Sequence, residues 1–337
     1  MKLTIKYFIL VLPLLIASCN LINPVGGNHV AMLMEIGSIN TDGRNQKLIA
    51  NNPAGYYFTG NYIINNYDIL TEMNLDGSNL HNLLPTNLST HDFSISPNAT
   101  KIVVSTGTNV LSPGTNLYIM NIDGKGLTQI NLPDSIINVI NPKISFNDSL
   151  IVFASKTGLY KINVDGKNLV KLKGNPLDTT VSYAQPSFSA DDQNIIYATY
   201  NKPSGNPIDI HRLSLKDLSD TAFYNFGSML FTSLEISPQN ILLIKSTGGN
   251  IYSIDLNNFN ATLIARGSNA AYSFDYKKIT YVDPDTSNTI CIMDLNTKVT
   301  TKVTLNFPNS FDTGVYDSKL SVDGTTLLYT DSRMVSD

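Results

Sequence analysis

Along most of the chain, apolar positions alternate with polar ones over short stretches, and nowhere is the 3.6-residue period of an amphipathic helix sustained. The alternation is itself periodic. Six times a bulky apolar residue is followed by Ser: Ile95-Ser96, Ile144-Ser145, Phe188-Ser189, Ile236-Ser237, Tyr272-Ser273 and Leu320-Ser321. In five copies a β-branched or aliphatic run opens seven residues after the apolar residue, at Ile102, Ile151, Ile195, Ile279 and Leu327. In the fourth copy the spacing contracts to five, and the run opens at Ile241. The Ser positions are separated by 49, 44, 48, 36 and 48 residues. Such a period marks one supersecondary unit copied along a line or around an axis.

A second phrase recurs between the Ser steps: LTEMNLDGSNLHNLL from Leu70, LYIMNIDGKGLTQI from Leu117, LYKINVDGKNLVKL from Leu159, and a weaker SINTDGRNQKLI from Ser38. Asp-Gly between two alternating runs predicts a hairpin, because the turn needs a positive φ that Gly adopts without steric cost. The later copies Asp255-Leu256-Asn257-Asn258 and Asp294-Leu295-Asn296-Thr297 lack Gly, and Asn is expected to take its left-handed position. Each unit thus holds four short strands. Strand A ends at the apolar-Ser step, B is the run after it, and C and D form the second hairpin. The predicted fold is all-β, a β-propeller of four-stranded antiparallel blades. A parallel β-helix is the alternative, but its coils are shorter and need no hairpins.

Seven C–D hairpins can be placed, near residues 31–50, 66–84, 116–130, 158–172, 208–225, 249–264 and 289–304. Six A–B pairs are clear, the last at 316–330, and a degenerate seventh falls around Gly55-Tyr56-Tyr57-Phe58-Thr59. The chain begins with a hairpin lacking A–B and ends with an A–B pair lacking its hairpin. Pairing the two completes a blade from both termini and removes the free edge. Seven blades are predicted, with six or eight as alternatives.

The A–B phrases Pro142-Lys143-Ile144-Ser145-Phe146-Asn147-Asp148 and Gln185-Pro186-Ser187-Phe188-Ser189-Ala190-Asp191 resemble the Pro-x-Trp-Ser-Pro-Asp-Gly phrase of TolB-type, WD-repeat-like propellers. So do Ile95-Ser96-Pro97-Asn98 and Leu320-Ser321-Val322-Asp323-Gly324, and Tyr118-Ile119-Met120-Asn121-Ile122-Asp123-Gly124 resembles that family's C–D consensus. The resemblance implies an interaction platform. The chain has no Trp, so Ile, Phe, Tyr or Leu must fill the inter-blade position.

The N-terminus adds an address. Lys2 and Lys6 precede an apolar stretch from Tyr7 to Ile16, too short to span a bilayer as a helix. Ile16-Ala17-Ser18-Cys19 resembles a bacterial lipobox, so residues 1–18 read as a lipoprotein signal peptide and Cys19 as the lipidated residue. Residues 19–30, with Pro24, Gly26 and Gly27, read as a tether, and 31–337 as one propeller domain. The expected location is the bacterial envelope, on the outer membrane, facing the periplasm or the surface, with Cys19 the sole membrane attachment. A net charge of −4 argues against a nucleic-acid partner. Of the two cysteines, Cys291 is then left without a disulfide partner and sits in an apolar run as a small hydrophobe. A monomer is expected.

Variable connections (Ser105 to Asn116, Asn131 to Asn141, Lys173 to Gln185, Thr199 to Ile208, Asp283 to Asn288, Asn306 to Asp317) fall on one face of the disc, where binding surfaces concentrate. That face offers Asp134, Tyr183, Tyr200, Lys202, Asp283, Asp285, Phe311 and Tyr316 as candidate partner-binding residues. Signals for catalysis are weak. His29, His81, His91 and His211 are scattered without metal-site spacing, and the resemblance extends to propeller lyases and glycosidases whose His or carboxylate clusters find no match in this sequence. His211, beside Arg212, reads as a sheet-surface residue, and the repeated Ser residues as turn formers. No catalytic residue, metal or cofactor is assigned. The predicted function is a lipid-anchored, non-enzymatic binding or scaffold module for an envelope protein or cell-wall partner. The alternatives are a carbohydrate-binding or carbohydrate-cleaving propeller with its site in the central funnel, and a component of a larger envelope assembly.

Overall fold

The computed structural model describes residues 30–51, 56–58, 62–66, 69–107, 116–174, 180–225, 231–246, 249–307, 310–321 and 323–336. The signal segment, Cys19 and the tether to residue 29 lie outside the described residues. Seven four-stranded antiparallel sheets follow one another. Blade 1 comprises Tyr56–Phe58, Tyr62–Asn66, Leu70–Asn74 and His81–Asn82. Blade 2 comprises Ser89–Ile95, Lys101–Gly107, Asn116–Asn121 and Thr128–Ile130; blade 3, Ile140–Ile144, Leu150–Ser155, Gly158–Asn163 and Val170–Lys173. Blade 4 comprises Val181–Phe188, Asn194–Asn201, Pro207–Ser214 and Asp220–Asn225; blade 5, Phe231–Ile236, Ile241–Ser246, Asn250–Asp255 and Asn260–Arg266. Blade 6 comprises Ser268–Tyr272, Lys278–Val282, Thr289–Asp294 and Thr300–Thr304. Blade 7 joins Ser310–Leu320 and Thr326–Ser336 to the N-terminal Val30–Asn40 and Lys47–Asn51. Its central pairing runs unbroken from Val30 opposite Ser336 to Asn40 opposite Thr326.

Packing explains why the B strands read as near-continuous apolar runs. Both faces of each blade are buried, so alternate residues serve two different interfaces. In Leu150–Ser155, Ile151 and Phe153 pack with blade 2 residues, whereas Val152 and Ala154 pack with blade 4. Each of the seven apolar clusters lies between neighbouring blades, and Ile36, Leu328 and Met73 close the circuit from blade 7 to blade 1. The residues before the six Ser positions are all buried at these interfaces and occupy the place expected for Trp.

The Ser residues organise the A–B turns. Ser96, Ser145, Ser189, Ser273 and Ser321 each donate to the Asn or Asp two residues on, at 2.6–2.8 Å. Their oxygens accept backbone N–H groups four or five residues on, as Ser145 does from Ser149 (3.1 Å) and Leu150 (2.9 Å). The third residue after each Ser is left-handed: Ala99, Asp148, Asp192, Asn240, Tyr276 and Gly324 have φ between 54° and 68°. Several of these residues also bridge blades. Asp192 accepts the N–H groups of Phe146 (2.8 Å) and Asn147 (2.9 Å), and Asn240 accepts that of Ala190 (3.2 Å). Asp148 accepts from the side chains of Asn98 and Thr100, both at 2.7 Å.

The C–D turns follow the expected chemistry in the Asp-Gly copies. Gly43, Gly77, Gly124 and Gly166 are left-handed, and the preceding Asp accepts the N–H two residues beyond it. The later copies differ from expectation. There the left-handed residue is Phe259 or Lys298, and Leu218 in blade 4, rather than an Asn within the turn. These turns are one residue longer and close with i→i+4 backbone bonds of 2.7–3.0 Å, which moves the left-handed position to the last turn residue.

Candidate functional site

The innermost strands carry a second polar belt, four residues before each motif Ser. Asp92 accepts the Asn141 N–H (2.7 Å) and side-chain amide (2.8 Å), Asn141 accepts the Gln185 N–H (3.1 Å), and Gln185 accepts the Leu234 N–H (3.0 Å). A bulge interrupts the A–B pairing beside each of these three residues, and Asn141 and Gln185 are left-handed there. The belt ties the inner strands of blades 2 to 5 into one rigid rim.

The turn end of the axis is narrow. About 30 Å³ of open space lies among Ile95, Pro97, Phe274 and Lys319, room for about one water. Lys319 there reaches Glu235 across the intervening blade at 3.4 Å.

Against the inner rim of blades 2 to 4 lies a cavity of about 510 Å³, within the range of small-ligand sites. The inner strands contribute His91, Ile140 and Val181 to Ala184. The short B–C connection of blade 3 contributes Ser155 to Gly158, and that of blade 4 contributes Tyr200, Asn201, Lys202 and Gly205. Asn138 and Gly174 complete it from the D–A connections. Gly174 is needed for close approach: its φ is +111°, and a Cβ there would fall 2.6 Å from the Gly158 Cα.

The described lining of this cavity carries cationic side chains. Lys156 and Lys202 project as exposed ammonium groups, His91 presents a ring, and among the described lining residues there is no Asp or Glu. The nearest carboxylate in sequence, Asp92, is committed to Asn141. The His91 Nδ1 is shielded and has no hydrogen-bond partner among the described residues. Burial pushes the Tyr200 phenol well above its ordinary range, so it acts as a neutral hydroxyl.

One wall is held by a half-buried network. Tyr183 packs on Tyr197 with ring centroids 5.9 Å apart, and His211 stacks on the other side of Tyr197 at 5.0 Å. The Tyr197 hydroxyl donates to Asp220 at 2.8 Å, and Lys173 of blade 3 reaches the same carboxylate at 2.9 Å. His211 Nδ1 lies 3.4 Å from Asp220. His211 is therefore packed inside this network and is not a sheet-surface residue.

Of the residues proposed from sequence, Tyr183, Tyr200 and Lys202 come together in this cavity. Tyr183 and Tyr200 sit at strand ends, within Val181–Phe188 and Asn194–Asn201. Asp134 is exposed in the connection between blades 2 and 3 and does not line the cavity. Asp283 departs from its reading as an exposed loop residue. It is 4 % exposed, paired with Lys302, and accepts from the Asp285 N–H (2.9 Å) and the Cys291 thiol (3.6 Å). The Lys302 ammonium holds its carboxyl below the usual range. Asp285 is exposed in the same blade 6 loop, away from the cavity lining. Phe311 and Tyr316 belong to the strand Ser310–Leu320, with their side chains outside the described residues. His91 and Lys156 line the cavity without having been singled out. Among the described residues, no three His, Cys, Asp or Glu side chains group as a metal site, and no helix is long and apolar enough to cross a membrane.

No family model matches the sequence, and no curated protein does. Solved structures do match in shape. The β-propeller domain of Cps50 (Swd1) from Myceliophteria thermophila aligns over 82 % of this chain and 96 % of its own, with TM-score 0.56 and 10 % identity. An oligogalacturonate lyase in complex with manganese aligns over 86 % and 80 %, with TM-score 0.53 and 13 % identity. A putative TolB from Agrobacterium tumefaciens aligns over 89 % and 98 %, with TM-score 0.50 and 12 % identity. At these identities the similarity is one of architecture: the chain is a β-propeller resembling those of TolB and oligogalacturonate lyase.

Proposed function

We propose that this chain is a lipid-anchored bacterial envelope protein whose propeller is a non-enzymatic binding module for a protein or cell-wall partner, seated in the cavity at the loop end of blades 2 to 4. The observation that carries the reading is the character of that cavity. It is lined by Tyr183, Tyr200, Lys156, Lys202, His91 and small polar side chains, and has no carboxylate among its described lining residues. Glycosidic cleavage by paired carboxylates would need two such groups about 5–10 Å apart flanking the bond. The carbohydrate alternative survives as binding, and a specific observation favours it. Among the described residues, the exposed large apolar side chains Leu80, Leu218, Leu263 and Val299 are spread over four blades.

The test is capture from detergent-solubilised envelopes with the full chain as bait, comparing wild type with Tyr183→Ala and Lys202→Ala. A discrete partner lost with both variants supports the reading; retention of every partner by both overturns the cavity as the seat. In the same strain, Cys19→Ser is expected to release the protein from the membrane fraction. Unchanged membrane association would overturn the anchor.

A further inference from the structure

We propose that the outer edge of blade 6, Thr300–Thr304, pairs antiparallel with the same strand of a second copy, so that the monomer expected from the sequence is the dilute form of a weak two-fold dimer. The observation that singles out this edge is its ladder. In blades 3, 4, 5 and 7 an extra residue bulges the outermost strand, at Leu172, Phe223, Ile264 and Ile49. In blades 1 and 2 that strand has only two and three residues. Bulges and short strands keep a sheet edge from accepting another chain. Blade 6 has neither device. Thr289 to Met293 run opposite Thr304 to Thr300 without a shift, and among the described residues the sheet ends at this strand.

The direction of its backbone groups follows from the bonds at either end. The Asp294 N–H donates to the Val299 carbonyl (3.0 Å), and the Leu305 N–H to the Asn288 carbonyl (2.9 Å). Val299, Thr301, Val303 and Leu305 therefore bond toward the blade, and the alternate residues Thr300, Lys302 and Thr304 turn their N–H and C=O outward. All three are exposed. Lysine on an edge strand ordinarily guards it, but the Lys302 ammonium is drawn inward onto the buried Asp283.

The edge is complementary to itself. Thr-Thr-Lys-Val-Thr is rich in residues that favour strands. An antiparallel register centred on Lys302 sets Thr300 opposite Thr304 of the second copy and Thr301 opposite Val303, and the outward residues exchange backbone bonds in both directions. The two Lys302 side chains then meet as ion pairs with Asp283, which offsets the repulsion of like charges set opposite each other. One short strand covers far less than the roughly 1,200–2,000 Å² of a stable complex, so the association is weak.

The test is sedimentation velocity of the full chain in density-matched detergent, across on the order of a hundredfold in concentration up to the high micromolar range. The expected result is a sedimentation coefficient that climbs toward a dimer. Thr300→Pro and Thr304→Pro each remove an outward N–H that the blade itself does not use, and should weaken the dimer about tenfold or more without lowering the melting temperature. Thr301→Lys changes no backbone bond and adds like charges beside the axis, so it should weaken the dimer as well. Leu263→Asp, on the bulged edge of blade 5, should leave it intact. A monomer at every concentration would overturn the proposal, whether or not some other strand uses the edge. So would a dimer that the proline and lysine variants all keep, or one that Leu263→Asp abolishes.

Discussion

The bridge from Asp192 to the preceding blade tests how this ring is held, because its residue also occupies a left-handed position that related phrases give to Gly. Asp192 accepts two backbone N–H groups of the blade 3 turn, from Phe146 and Asn147. Bonds to a charged acceptor contribute about 1.5–3 kcal/mol each. Burial lifts the Asp192 carboxyl above its usual range in spite of those bonds, and the turn is partly open to water, so we set the loss for both together near 2 kcal/mol. Asp192→Ala loses both bonds and, at φ 56°, also the polar side chain that lets Asp tolerate the left-handed region, a further cost of about 1 kcal/mol. Asp192→Gly loses the bonds without the strain. Asp192→Asn tolerates the backbone and keeps one acceptor oxygen, for a loss of about 1 kcal/mol. For a domain of this size about 2 °C accompanies each kcal/mol, so melting should fall by about 2, 4 and 6 °C for Asn, Gly and Ala. Thermal unfolding followed by circular dichroism reads the order directly. Ala and Gly variants melting within a degree of wild type, or Asn falling as far as Ala, would refute the reasoning.

Three other outcomes follow from the same geometry. Burial pushes the Cys291 thiol up to about 11, so the folded protein should resist iodoacetamide at pH 8 and react only in urea; mass spectrometry showing free-thiol rates in the native state would contradict its burial. The Ser214 and Ser219 hydroxyls hold Asp217 down at about 2, so its stabilising effect is complete above the ordinary carboxylate range and lost as pH falls through about 2. In acid titrations the difference between wild type and Asp217→Asn should therefore shrink from about pH 4 downward, and a difference independent of pH would count against it. Asp220→Ala leaves Lys173 and the Tyr197 hydroxyl without this shared carboxylate, with an expected loss of about 2 kcal/mol in urea unfolding against about 1 for Tyr197→Phe. The double variant should lose less than the sum, and strict additivity would show the groups to be independent.

The blades were legible because both signals that define them are local. A left-handed Gly after Asp and a Ser that caps its own turn act within five residues, and the two-residue alternation needs no knowledge of neighbours. Blade 1 was the faintest, since Tyr56–Phe58 and Tyr62–Asn66 are short and carry no apolar-Ser step. The polar residue four before each Ser (Asp92, Asn141, Gln185, Ser233, Asn269, Asp317) was present as a pattern, but for Asp92, Asn141 and Gln185 its purpose lies in bonds between residues 44–49 apart on different blades. The cavity was legible in part for the same reason. Tyr183, Tyr200 and Lys202 stand beside long connections and drew notice. Lys156 sits in a short, unremarked turn, and His91 in the inner strand of another blade; only closure of the ring brings them together. Asp283 looked exposed because nothing local shows that Lys302, on the outer strand, reaches back to it.

The closing of blade 7 also constrains how the protein is made. Val30–Asn40 is the first of these strands to be synthesised, and its partner Thr326–Ser336 is the last. At about 5–20 residues per second, the roughly 290 residues between them take on the order of 15–60 s. Throughout that interval an eleven-residue edge stays open, with Ile36 and Ile39 unburied. The same backbone groups would accept the late strand of a neighbouring nascent chain, an exchange between copies that the finished ring forbids. The period of greatest vulnerability therefore precedes completion of the chain, and the yield of correctly closed molecules depends on how far apart growing copies are kept.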